Sequence, residues 1–511
     1  MQHGVKNYEV TAPRSRFYQG GFGRLFPDLD PWVPTRADGR PPASSTELEE
    51  LAIGIANSWM RETDEAGAAD SIMPAAYTFF GQFIDHDITL DTTPLSSADI
   101  DPNRLHNFRT PRLDLDCLYG QGPDAQPFLY EGDKARFRIG RALTSGTDEL
   151  SDVPDLPRHS TSGPAQTALI GDPRNDENAL VAQVHLAFLR AHNALVNEAV
   201  RQQKGNGFEA ARRTLTWLYQ WIVWHDFTKR ICDRLVFEEA LTAVEHKGRG
   251  HTWEAGYEDI YNWKDCPFMP LEFSVAAFRF GHTLVRPGYR TNGTLGFPTF
   301  AAEGTASLRG FRALETDRIL DWDFFLERDG ADASQVQHSR RFDQFLAPAL
   351  SRLPEDPMAP TDPAKILNVL AARNLARAVR LDLPSGSGVA RALGLPVKAP
   401  DTARNEPDAL WYYLLKESGL PADQGGADGN HLGALGSILV ASTIAGLLLG
   451  DPLSHLRRQP TWTPNDDNLL AALNSDGGIT RDSKEGWTLA AIIRLAERDG
   501  SGEAMGAAAA G

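Results

Sequence analysis

The stretch Tyr77-Thr78-Phe79-Phe80-Gly81-Gln82-Phe83-Ile84-Asp85-His86-Asp87 lies inside a helix pattern that runs over residues 75–91. Its first half is aromatic and apolar, and its second half presents Gln, Asp, His and Asp. Gln82 and His86 stand four apart and share a helix face, with Asp85 and Asp87 flanking the histidine. Such groups are costly to bury unless a metal, a cofactor or one another satisfies them. The alternative is a helix end whose polar groups cap the backbone.

Three further segments interrupt apolar surroundings in the same way. Gly171-Asp-Pro-Arg174-Asn-Asp-Glu177-Asn178 puts Arg174 and Glu177 three apart at a helix start, where a surface ion pair is the ordinary meaning. In Ala277-Phe-Arg279-Phe-Gly281-His282-Thr-Leu a histidine ends an apolar helix, and the glycine before it permits close approach of a bulky group. A lone histidine there is otherwise a satisfied core residue. Asn374-Leu-Ala-Arg377 sits within a helix pattern, and an asparagine in that setting suits the outer partner of a ligating imidazole.

Outward from these segments, apolar periodicity predicts helices from about Glu47 and over 75–91, 177–204, 208–236, 271–284, 342–349, 364–382, 406–418 and 432–449. Residues 92–172 read as loop, and strand signals are few and short. Residues 1–46 read as an extended arm, 47–495 as one large unit and 496–511 as a flexible tail. The fold class is mainly α. Leu432–Leu449 approaches a membrane span in length, but its glycines and hydroxyls favour a buried core helix. His185 and His192, seven apart on one helix, read as core residues and not as a metal pair.

The 511 residues carry 51 basic and 68 acidic side chains, a balance of −17. That argues against nucleic acid and against an anionic membrane surface, both of which need clustered cations. Three scattered cysteines, Cys117, Cys232 and Cys266, exclude a disulfide scaffold and a cysteine zinc cluster. The first twenty residues contain no apolar leader, so a cytoplasmic location is expected, with non-classical export the alternative.

Taken in order, the four segments resemble the animal-type haem peroxidase family of the peroxidase–cyclooxygenase superfamily. G-Q-x-x-D-H-D falls at 81–87, G-D-x-R-x-x-E at 171–177, F-R-x-G-H-T-L at 278–284, and N-x-x-R with a later Leu-Pro at 374–384. The apolar helix ending Gly-Leu-Leu-Leu-Gly-Asp-Pro at 446–452 is also similar to the family's. The length and the lack of a leader look like the bacterial branch. The resemblance implies a large single-domain helical haem peroxidase fold with few short strands, long loops and one haem b. It implies His282 as proximal iron ligand, with Asn374 accepting its other ring N–H. It implies His86 as distal base, Arg174 as distal cation and Gln82 as the residue ordering water or halide. Asp85 and Glu177 match carboxylates that become ester-linked to haem, Arg377 matches a propionate partner, and Arg279 is a second. The activity implied is reduction of hydrogen peroxide and oxidation of small anionic or phenolic donors (bromide, iodide, thiocyanate, phenols) through a ferryl haem.

The family also has a calcium site. Asp87, Thr110, the Arg112 carbonyl, Asp114 and Asp116 offer alternating oxygens suited to Ca²⁺, although the family's loop often has Ser where this chain has Asp116. Asn178 stands where some mammalian members have Met, which excludes a sulfonium link to haem. The family's R-D-H-G reads Arg380-Leu381-Asp382-Leu383 here. One rival is a haem-dependent fatty-acid oxygenase, but the position three before His282, a tyrosine in cyclooxygenases, is Arg279. The other is a non-catalytic haem or adhesion scaffold, which would tolerate loss of Gln82, His86 and Arg174, all present here.

Overall fold

The computed structural model describes residues 21–499 apart from 64–68, 92–104, 106, 160–166, 247–249, 262–266, 294, 302–305, 352, 354–365 and 402–403. Cys266, the first twenty residues of the expected arm and the tail beyond 499 lie outside the described residues.

The body is mainly helical, with a core drawn from almost every element. Eight helices matter for the site: α1 Ser45–Trp59, α2 Ala76–Ile88, α3 Ala179–Arg201, α4 Phe208–Ile222, α5 Leu370–Arg380, α6 Leu410–Gly419, α7 Ala434–Gly450 and α8 Leu489–Glu497. The described strands form five two-stranded sheets, among them the hairpins Leu241–His246/Gly250–Ala255 and Gly288–Asn292/Leu295–Pro298. Within the loop expected over 92–172 lie a one-turn helix, Asp116–Tyr119, and the strand pair Gly140–Leu143/Leu150–Asp155.

Helix α3 is the central element. Asn178 caps it, its Oδ1 accepting from the Leu180 and Val181 amides at 3.1 and 2.9 Å. One side of α3 packs on α2, another on α4 and a third on α8. The stack of Phe83 on Phe188, centroids 4.7 Å apart, joins α2 to α3. By length and composition α3 is apolar enough to cross a membrane, yet that apolar stretch is wholly buried inside the body. Every residue from Leu435 to Leu449 of α7 is also buried, as a core helix should be.

Four expectations need correction. Residues 208–236 are not one α-helix, since Val223–Thr228 is a π segment and the chain breaks at Cys232 (φ −107°, ψ 155°) before Asp233 caps a new helix. Residues 271–284 do not form an α-helix. Glu272–Ala276 is a wide π turn and Ala277–His282 a tight 3₁₀ turn, with the break at Ala276 (φ −127°, ψ −72°). Apolar spacing does not separate these turns from an α-helix. Residues 342–347 are irregular, because their amides serve other segments: Phe342 donates to the Gly429 carbonyl and Leu346 to that of Met60. Residues 496–499 are no tail, since α8 runs to Glu497 and buried Asp499 takes the Arg190 guanidinium at 2.9 Å.

The described part of the N-terminal arm lies on the body. Buried Glu272 accepts the amides of Leu25 and Phe26 at 3.0 and 3.1 Å. Arg24 donates to the carbonyls of Leu381 and Asp382, so the segment that departs from the family's pattern anchors the arm.

Candidate active site

Helix α2 packs against the turn Ala277–His282, which brings the elements bearing His86 and His282 together. The 3₁₀ turn Pro173–Asp176 packs on α2 and leads into α3, carrying Arg174 and Glu177 to the same place.

On the α2 side, His86 Nδ1 lies 2.8 Å from Asn175 Oδ1, and its Nε2 has no hydrogen bond among the described residues. Burial and the nearby Arg174 charge lower the His86 imidazole to about 3, so the ring is neutral. Arg174 is firmly held. Its Nη2 donates to the carbonyls of His86 and Thr89 at 3.0 and 2.7 Å, and to Asp172 at 2.7 Å. Burial disfavours charge on Asp172, but bonding to Arg174 and the charges of Arg174 and Arg109 hold its carboxyl well below the usual range. Gln82 donates to Glu177 and accepts from Asn178 Nδ2 at 3.2 Å. Glu177 is raised to about 7 by burial, and burial raises Asp85 too. The Asp85 carboxylate accepts from the Thr89 hydroxyl at 3.1 Å.

On the other side, His282 Nδ1 lies 2.8 Å from Asn374 Nδ2, while Asn374 Oδ1 accepts from Arg279. In this orientation Asn374 donates to the ring. The acceptor role expected of it needs the amide turned over and Arg279 released. Burial, with the charges of Arg279 and Arg373, lowers His282 to about 3. Burial lowers Arg279 to about 10. Trp411 stands edge-on to His282 at 6.2 Å and donates to the Arg279 carbonyl at 3.2 Å. Arg377 pairs with Asp91.

These residues fit a haem. His282 and His86 are neutral imidazoles whose Nε2 makes no hydrogen bond among the described residues, and at His282 a free Nε2 lone pair requires the Asn374 amide turned over. A Cβ built on Gly281 meets nothing within 4 Å, so open space adjoins His282. Arg279 and Arg377 could supply cations for propionates, Arg377 on release from Asp91.

Asp87, Asp114 and Asp116 lie with carboxylate oxygens within 4.8 Å of one another. Leu115, with φ 57°, places the loop there, and its amide donates to Asp87 at 3.2 Å. Thr110 Oγ1 donates to Asp114 at 3.0 Å, and its amide to Asp116 at 3.4 Å. The Arg112 side chain lies 3.9 Å from Asp451. Burial and the neighbouring Asp114 push Asp87 up to about 7, and burial pushes Asp116 well above its ordinary value. Asp114 Oδ1 is buried with no hydrogen-bond partner among the described residues. Carboxylates this close repel, and a divalent cation suits them.

Sequence reasoning missed Asn175, His185, Arg109 and Asp172. Asp172 had a signal in its place two residues before Arg174; the other three had none. Arg109 bridges Asp116, at 3.1 Å, to Asp172. Asn175 Nδ2 lies 3.0 Å from His185 Nδ1. His185 shares no site with His192, which bonds Tyr119 and the Ala135 carbonyl at 3.0 and 2.9 Å. Cys117 and Cys232 are buried free thiols.

The profile of the animal haem peroxidase family matches residues 95–309. That stretch carries Arg174, Glu177 and His282, while α2 and Asn374 lie outside it. A peroxidase-like protein of Margaritifera margaritifera is 26% identical over 329 residues, covering 55% of this chain and 39% of that protein. Thyroid peroxidase of Mus musculus is 28% identical over 207 residues, covering 38% of this chain and 21% of it. The matches thus span well under half the length of these relatives. Peroxidase A of Dictyostelium discoideum superposes with a TM-score of 0.58 at 16% identity, over 93% of this chain and 96% of that one. A fatty acid alpha-dioxygenase of Arabidopsis thaliana superposes with a TM-score of 0.56 at 13% identity, over 95% and 84%. At these identities the superpositions establish a shared, mainly helical fold. The animal haem peroxidase profile thus matches less than half of the chain, and the superpositions show a fold shared with a peroxidase and a dioxygenase.

Proposed function

We propose that this chain is a haem peroxidase that reduces hydrogen peroxide and oxidises small donors such as bromide, iodide, thiocyanate or phenols. The observation that carries this reading is the pair of neutral histidines on packed elements, each with Nδ1 against an asparagine and Nε2 making no hydrogen bond among the described residues, beside the open space at Gly281. His282 would hold the iron, Arg279 and Arg377 the propionates, and Asp85 and Glu177 the haem edges, with ester links between them. Bound haem supplies the iron that takes peroxide and stores the oxidising equivalents.

The protein's part is proton movement and charge. His86 Nε2 takes the proton from the near oxygen of hydrogen peroxide and returns it to the far one, which leaves as water. Arg174, fixed through Asp172 and two backbone carbonyls, stabilises the charge that develops as the O–O bond breaks. Gln82, held between Glu177 and Asn178, orders water or a halide above this pair. The Asp87–Asp114–Asp116 cluster would bind Ca²⁺ and brace the end of α2. Arg279, in the place of the cyclooxygenase tyrosine, leaves no radical-forming side chain there and disfavours the oxygenase reading.

The test is the absorption spectrum of the haem-reconstituted protein before and after stoichiometric hydrogen peroxide, with bromide and a phenol then added separately. A Soret band that shifts with peroxide and returns with a donor is the expected result. Bleaching alone, or no haem uptake, rejects the reading. His86→Ala should slow the peroxide-driven shift by ~10²–10⁴-fold, and His282→Ala should lose imidazole ligation.

A further inference from the structure

We infer that Asn175 and His185 form a positioning relay behind His86 that fixes which of its ring nitrogens carries the proton. The inference rests on the peroxidase reading for its consequence, though not for its geometry.

His86, Asn175 and His185 are all buried. His86 Nδ1 lies 2.8 Å from Asn175 Oδ1, and Asn175 Nδ2 lies 3.0 Å from His185 Nδ1. A carboxamide oxygen only accepts and its nitrogen only donates, and a neutral imidazole has one N–H and one lone pair. With Oδ1 turned to His86, the proton sits on Nδ1 and the lone pair on Nε2. That is the tautomer a base needs when its Nε2 must take a proton.

In this arrangement Asn175 Nδ2 faces His185. Its Nδ1 accepts from Asn175 Nδ2, which puts its own proton on Nε2. Turning the amide over would reverse all three residues together and leave His86 with Nε2–H and no base. The His185 ring is edge-on to Phe83, centroids 5.8 Å apart, and its Nε2 has no hydrogen-bond partner among the described residues. The relay is rigidly mounted. Asn175 lies in the 3₁₀ turn Pro173–Asp176, whose Asp176 takes two bonds from Arg158 at 2.7 and 2.8 Å. His185 lies on buried α3.

Two experiments test it. In the full chain labelled with ¹⁵N-histidine and free of haem, two-bond ¹H–¹⁵N spectra should show His86 protonated at Nδ1 and bare at Nε2, with its signals assigned by their loss in His86→Gln. The opposite pattern overturns the relay. In His185→Phe the His86 pattern should become mixed, and an unchanged pattern removes His185 from the relay. In the haem-loaded protein, Asn175→Leu should slow the peroxide-driven shift about 10–100-fold, as loss of partners that orient an imidazole does at metal sites, with haem uptake retained. Asn175→Asp, which keeps the acceptor, should restore most of that rate. Equal loss in both variants overturns the acceptor role. If the wild-type protein takes up no haem, the peroxidase reading fails and the nitrogen spectra still decide the relay.

Discussion

Gly281 separates folding from cofactor binding. A side chain there meets open space, and its backbone φ is not in the left-handed region. Gly281→Val should therefore leave the haem-free protein within about 0.5 kcal/mol of wild type in urea unfolding. Haem affinity, followed by Soret titration, should fall at least about tenfold, or 1.4 kcal/mol, because the methyls occupy space beside His282. Unchanged affinity would move the haem elsewhere. Glu177 makes the second prediction at this scale. Burial raises it from 4.5 to about 7, so the folded protein holds a proton that the unfolded chain has released. Its contribution to stability is complete below pH 4.5 and is lost as pH rises towards 7. Urea unfolding of the haem-free protein across that window should show a falling slope that Glu177→Gln reduces. Asp87, also raised to about 7, adds a slope of the same sign that the variant keeps.

At the scale of elements, Asn178 serves two at once. Its Oδ1 caps α3 and its Nδ2 holds Gln82, which projects from α2. Asn178→Ala should cost about 1 kcal/mol through the lost cap. Asn178→Asp keeps an acceptor at the helix start and drops only the donor to Gln82. Its stability should match wild type, while the ratio of bromide to phenol oxidation rates changes. An unchanged ratio would separate Gln82 from donor choice. The long helices were legible in the sequence because one apolar face repeats at helical spacing, as in α1 and α3, or because apolar and small residues run uninterrupted by charge, as in α7. Residues 271–284 were legible as apolar and helical but not as π and 3₁₀ turns, which share that spacing. Residues 342–349 misled because their buried side chains point to a core that irregular backbone also reaches. In the site, Gln82, Asp85, His86 and Asp87 stood out as polar groups in an apolar segment, while Arg174, His282 and Asn374 gained weight only through the resemblance of four segments taken in order. Asn175 and His185 did neither, since a turn asparagine and a core histidine carry no pattern until the fold puts them 3.0 Å apart.

Over the whole molecule, the acidic cluster and the distal groups form one connected structure. Asp87 closes α2 one residue after His86, and Asp116 reaches Arg174 through Arg109 and Asp172. A Cβ on Gly171 would lie 2.3 Å from the Cys117 carbonyl, so the cluster loop and the distal turn pack backbone against backbone. A cation bound by Asp87, Asp114 and Asp116 would relieve their repulsion and fix both connections together, whereas without it Arg109 is ion-paired, among the described residues, to Asp116 but not to Asp87 or Asp114. Calcium at 100 times its Kd should therefore stabilise the protein by about 2.7 kcal/mol, read as a rise in Tm that a chelator reverses. The chelator should also slow the peroxide-driven Soret shift, because His86 and Arg174 lose their bracing. Asp114→Asn removes a ligand whose Oδ1 is buried without a partner among the described residues and which makes no ion pair to Arg109, so it should abolish the calcium response while the Arg109–Asp172 link survives. In that variant the chelator should change neither Tm nor rate. If the chelator also leaves the wild-type Tm and rate unmoved, Arg109 and protonation of the carboxyls suffice to hold the cluster, and the distal groups are braced without a metal.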